Sequence, residues 1–239
     1  MNNFKIFRNS FKYLFDNPEL FFLSLVLLLL SILYSNIQYW LNNLLQGAFL
    51  FFIKLFIFLS YLALASFLFS GMVGICIKIV KNNSKHRWFV YARKFWFQNL
   101  VIILIILFSL DIVRYLSHYG ALFAGRLIGL EVNYAVLIFY LIYFIGLAGF
   151  LIFLTLSSFC LIADNSSVIK SIKKSFKTVK KFYFNITIIN LFFFILYLIS
   201  SDYLEKFSLI GITLSDVINC LFILPYSILI LARFVIKKT

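Results

Sequence analysis

Acidic residues are scarce in this chain: 8 Asp and Glu stand against 22 Lys and Arg in 239 residues, and only 13% of positions are charged. Proline occurs twice, histidine twice and cysteine three times. Each scarcity excludes a class of chemistry. His86 and His118 have no partner at metal-ligand spacing, and Cys76, Cys160 and Cys220 form neither a Cys-x-x-Cys pair nor a Cys-His set. Zinc and dithiol sites are therefore not encoded. The three thiols lie in apolar stretches and read as small buried hydrophobes. No two carboxylates share a level where acid and base could act together, and there is neither a phosphate-cradling glycine loop nor a nucleophile elbow. No metal, cofactor or catalytic residue is expected.

Apolar residues are abundant instead. At 64% hydrophobic and a mean hydropathy of +1.03, a 239-residue fold could not hide its apolar surface from water, so lipid is the expected solvent. Positive charge then alternates along the chain. Lys5, Arg8 and Lys12 precede the first apolar stretch, and Lys78, Lys81, Lys85, Arg87, Arg93 and Lys94 separate the second from the third. Lys170, Lys173, Lys174, Lys177, Lys180 and Lys181 precede the fifth, and Arg233, Lys237 and Lys238 close the chain. The alternate connections hold only Arg114, Arg126 and Lys206, with Lys54 inside a span. Because basic loops stay cytoplasmic, this pattern predicts six spans with both termini inside the cell membrane. The charge lies beside apolar spans, which makes anionic lipid headgroups the expected partner and argues against nucleic acid.

The predicted class is all-α and polytopic, one membrane domain over 1–239, with transmembrane helices at 18–36, 48–79, 97–116, 134–163, 184–201 and 208–236. Asn17, Pro18 and Glu19 mark the first span's start by cap, first-turn proline and dipole complement. Pro225 predicts a kink in the sixth. Basic, aromatic-rich segments at 4–15, 88–96 and 166–183 precede the odd spans as cytoplasmic interfacial helices. Ser10-Phe11-Lys12 and Ser175-Phe176-Lys177 share a tripeptide, with Arg93-Lys94-Phe95 near their midpoint, and the reading is three parallel hairpin repeats.

The segment 168–183 is the most sharply patterned. Ile169, Ile172, Phe176, Val179 and Tyr183 recur at helical spacing and predict one apolar face, with the six lysines opposite. Asp164, Asn165 or Ser166 would cap its start. Such a helix lies among the headgroups with its apolar face buried and its lysines on anionic lipid.

These same residues carry a resemblance. Ala163-Asp164-Asn165, then Val168, Lys173-Lys174-Ser175-Phe176 and Lys180-Lys181-Phe182 ahead of another span, resemble the six-helix membrane domain found ahead of some bacterial glycerophosphodiester phosphodiesterases. That domain also occurs alone in bacterial and archaeal proteins of undefined role, and the number and order of helices agree over nearly the whole chain. The resemblance implies a prokaryotic membrane fold. It does not imply phosphodiesterase activity, since the chain given ends at Thr239 without a catalytic barrel, and fold and function separate readily.

A few polar residues lie within or beside the spans. Asp111 and Arg114, three apart, are placed to pair across one turn, and Lys54 can carry its ammonium back to the interface. Asp216, with Asn219 a turn below, is the prime candidate for lining an outward-facing polar cavity, together with Asn190, Asp111 and Arg114. Ser66, Ser70 and Gly74 recur every four positions and, with Gly146 and Gly149, mark close helix contacts. The sequence thus points to a non-enzymatic integral membrane protein that organises lipid or a partner complex through its basic cytoplasmic face. The alternative is a small carrier or channel with a cavity near Asp216.

Overall fold

The computed structural model describes residues 3–44, 48–81, 87–128, 156–204, 208–209 and 212–238, together with Tyr143. Helix α1 (Asn3–Phe15) stops because Pro18 lies just beyond it and disfavours helical backbone at the residue before it. The Asn17 side-chain amide donates to the Tyr13 carbonyl at 2.7 Å, and the Asn17 carbonyl accepts from Leu20 N–H at 3.1 Å. The side chain thus finishes α1, where the sequence assigns it to capping α2 (Pro18–Leu44).

After α3 (Ala48–Val80) comes α4 (Trp88–Ile128), 41 residues in one helix. No glycine or proline interrupts it before Gly120, so the expected surface segment 88–96 and the span 97–116 run on as one helix, about 60 Å long over its full length. Helix α5 (Ser157–Asp164) ends on Asn165, whose φ of 51° is left-handed and whose N–H bonds to the Leu161 carbonyl. Asparagine tolerates that conformation and so ends the helix. Of the three residues expected to cap the next helix, then, Asn165 closes the previous one. Helix α6 (Val168–Leu204) leaves helical geometry at Phe182, with φ −125° and ψ 25°. The kink separates a lysine-rich arm, 168–181, from an apolar rod.

Beyond it, β1 (Ser208–Leu209) pairs antiparallel with β2 (Ile212–Thr213) in the only departure from helix among the described elements. The short α7 (Leu214–Ile218) opens with a capping box in which Thr213 and Asp216 bond each other's backbone N–H. A π-helical turn (Asn219–Ile223) follows, the Leu224 N–H reaching the Asn219 carbonyl, and α8 (Leu224–Lys238) carries Pro225 at its start. The wider turn falls where proline withholds a backbone donor.

Among the described residues five helical stretches are long and apolar enough to cross a membrane: Pro18–Asn43, Leu50–Val80, Trp88–Gly120, Val168–Tyr197 and Leu214–Arg233. The fold is all-helical, multi-pass and suited to a bilayer. Most of the expected fourth span, 134–163, lies outside the described residues apart from the α5 segment.

The core sits at one end. Residues 70–77 of α3, 156–162 at α5 and 228–233 of α8 are continuously buried, and these three helix ends touch one another in all three pairings. Leu68, Met72, Ile75, Cys76, Phe159, Cys160, Leu229 and Ala232 fill the space between them. The same stretches also bury Ser70, Ser157, Ser158 and Arg233. Around it, α1 packs on α8, the start of α4 packs on α3, and the start of α6 packs on α5. Away from this basic end burial falls off: none of 29–43 in α2 or 50–61 in α3 is buried, and those two segments meet through the stacked Tyr34 and Tyr61 rings, 4.4 Å apart.

Candidate functional site

The arm 168–181 presents three faces. Ser171, Ser175, Thr178 and Val179 are buried and lock it to the bundle. Small side chains there allow the close backbone approach that helix contacts in lipid favour. Beside that seam runs an open apolar edge, with Ile169 at 68%, Phe176 at 41% and Tyr183 at 47% exposure. The apolar face expected from periodicity is therefore divided: Val179 turns inward, while Ile169, Phe176 and Tyr183 stay outside. Lys170, Lys173, Lys177, Lys180 and Lys181 are exposed on the remaining side.

Lys174 differs from the other lysines. Its Nζ forms an ion pair with Asp164 Oδ2 at 2.6 Å, tying the arm to the end of α5. Lys81 Nζ donates to the Ala163 carbonyl at 3.4 Å, so the end of α3 grips the same junction. The arm is held at its base, and its other five lysines project from it.

The neighbouring segments are fixed by equally specific contacts. On α3, Ser66 Oγ donates to the Trp96 carbonyl at 2.7 Å and Ser70 Oγ to the Ser66 carbonyl at 2.8 Å. A Cβ on Gly74 would lie 2.5 Å from Tyr91 Cβ, so α3 and α4 approach at a distance only glycine permits. Lys78 Nζ stands 5.5 Å from the centroid of the same Tyr91 ring. On α8, the buried Arg233 guanidinium lies over the Tyr13 ring of α1 at 4.7 Å. Each is a cation against an aromatic face, worth most where water is excluded. Asn99, fully buried on α4, accepts a hydrogen bond from Ser158 of α5.

The residues proposed to line a cavity have the following surroundings among the described residues. Asp216 is exposed, and its Oδ2 accepts from the Thr213 hydroxyl at 2.7 Å and the Thr213 N–H at 3.1 Å. The Thr213-x-x-Asp216 spacing is itself the signature of a capping box and was the signal available in the sequence. Asn219 accepts from Ser200 Oγ at 2.7 Å and donates to Ser215 Oγ at 3.1 Å, pinning α6 to the π turn. Asn190 Nδ2 is buried without a hydrogen-bond partner among the described residues. Asp111 and Arg114 are both exposed, and no ion pair joins them in the described structure. Lys54 Nζ bonds Asn42 Oδ1 across the α2–α3 hairpin. Gly146 and Gly149 lie outside the described residues. Among the described residues no group of three His, Cys, Asp or Glu could hold a metal.

Replacing Asp216 by Ala removes half of a capping box, so a loss of about 1 kcal/mol in unfolding is expected. Equilibrium unfolding in detergent measures it. Compared with protein-family models, curated proteins and solved structures, the chain has no match in any of the three.

Proposed function

We propose that the chain is a non-enzymatic integral membrane protein that organises anionic lipid, or a complex bound through such lipid, at a basic cytoplasmic face. The observation that carries this reading is the arm 168–181: locked on one side, apolar and open on the next, cationic and open on the third. Rings at the hydrocarbon boundary with ammonium groups just above them match the layering of an anionic monolayer. The filled centre between α3, α5 and α8 also counts for an organising role and against a through-going path at that depth.

In this proposal the chain has six spans with both termini cytoplasmic, as the alternation of basic connections requires. It is built from three parallel hairpin repeats. Support comes from three continuously buried helix ends in mutual contact, each covered by a basic segment. It also comes from Ser10 and Ser175, buried at equivalent places in the shared tripeptide, beside the exposed Phe11 and Phe176. The resemblance to the phosphodiesterase-associated membrane domain belongs to this proposal as a statement about architecture alone.

The test is native mass spectrometry of the protein released gently from its own membrane. In Lys173→Gln/Lys177→Gln/Lys180→Gln, with Lys174 left intact to hold the arm, the anionic lipid bound at the arm and any protein partner that depends on it should be lost. Retention of both at wild-type levels would end this reading.

A carrier remains the second reading because the buried Nδ2 of Asn190 meets no hydrogen-bond partner among the described residues and the π turn interrupts the last span. It requires that Asp216→Asn or Asn190→Ala abolish uptake of a solute in reconstituted vesicles. Unchanged uptake in both variants would exclude it.

A further inference from the structure

We infer that the basic end carries one anionic-phospholipid site on each of three segments, 8–15, 87–97 and 168–181, rather than a single site on the α6 arm. The inference rests on the function proposed above and adds number and position to it.

The three segments repeat one arrangement. On α1, Ser10 and Leu14 are buried, Phe11 and Phe15 are 53% and 54% exposed, and Arg8 and Lys12 are exposed. At the start of α4, Ala92 and Phe95 are buried, Phe89 and Phe97 are 53% and 61% exposed, and Arg93 and Lys94 are exposed. The α6 arm has the same inward seam, aromatic edge and basic side. On α1 and α6 the three faces follow one another in the same rotational order; at the start of α4 the aromatic and basic positions interleave.

The large aromatics are fixed in place rather than left to wander. Phe11 sits edge-on to Tyr226 of α8, with centroids 5.9 Å apart, and Phe89 sits edge-on to Phe67 of α3 at 5.6 Å. A phospholipid offers the complementary sequence, with acyl chain against the aromatic edge and phosphate against the cations. Because the segments cover different helix ends, α8, α3 and α5, the sites are separate and fill independently. Two or more cations near an anionic headgroup favour it over a zwitterionic one by about thirty-fold per site.

The experiment counts lipids on the intact protein in mixed micelles holding equal parts of phosphatidylglycerol and phosphatidylcholine, again by native mass spectrometry. The wild type should retain one phosphatidylglycerol per segment. Arg8→Gln/Lys12→Gln, Arg93→Gln/Lys94→Gln and Lys173→Gln/Lys177→Gln/Lys180→Gln should each retain one fewer, and their combination none. Arg8→Lys/Lys12→Arg should keep the wild-type number, which separates charge from any disturbance of folding. A wild type holding a single phosphatidylglycerol, lost only with the α6 lysines, would overturn the three-site inference and leave the proposed function standing. Equal retention of phosphatidylcholine and phosphatidylglycerol by the wild type would overturn both.

Discussion

Gly74→Ala should destabilise the bundle by about 3 kcal/mol, more than Gly71→Ala, whose new Cβ would come no nearer than 3.1 Å to a neighbour. The new Cβ would lie 2.5 Å from the Cβ of Tyr91, and the root of that side chain cannot rotate away. Relief requires the α3 and α4 backbones to separate, which would loosen the contacts of Ser66 with Trp96 and of Trp88 with Gly71 at once. Equilibrium unfolding in detergent reads the loss. Tyr91→Ala in the Gly74→Ala background should recover part of it, since the two changes act on one contact and are not additive. A Gly74→Ala protein as stable as wild type would mean that the two helices do not meet at this point.

Tyr13→Ala ranks next, at about 3 kcal/mol, because it removes the ring that covers a buried guanidinium while leaving the charge in place. Tyr13→Phe keeps the ring and should lose far less. Arg233→Met, which removes the charge as well, should fall between them. Limited proteolysis supplies the second readout: α1 should become cleavable in Tyr13→Ala at protease levels that leave the wild type intact. If α1 stays protected, the ring and guanidinium do not hold it to α8.

The apolar runs were readable because length and hydropathy decide what crosses a bilayer, and five of the expected spans correspond to such helices. The break near Phe182 was readable too, since the lysines stop at Lys181 and a mostly apolar stretch without charge begins. What periodicity did not show was the inward face of the α6 arm. Ile169, Ile172, Phe176, Val179 and Tyr183 form the obvious apolar stripe, yet Ser171, Ser175 and Thr178 make the contact. In water the apolar stripe would turn inward. In lipid both surroundings are apolar, so closeness of fit decides, and small residues win. Asp216 was read as a carboxylate at depth, and its capping partner Thr213, three positions earlier, was legible too but was not used. The pairing of Gly74 with Tyr91, and of Arg233 with Tyr13, joins residues on different helices and leaves no local trace in the sequence.

The packing of α1 against α8 has a bearing on how the protein is made. Residues 3–15 are made well before 224–238, yet the surface they cover belongs to that later helix. Every intervening span must be inserted before α1 can dock, so its exposed phenylalanines wait at the membrane surface throughout synthesis. Docking of α1 therefore waits on insertion of α8, and the contact between the two reports that the spans between them are in place.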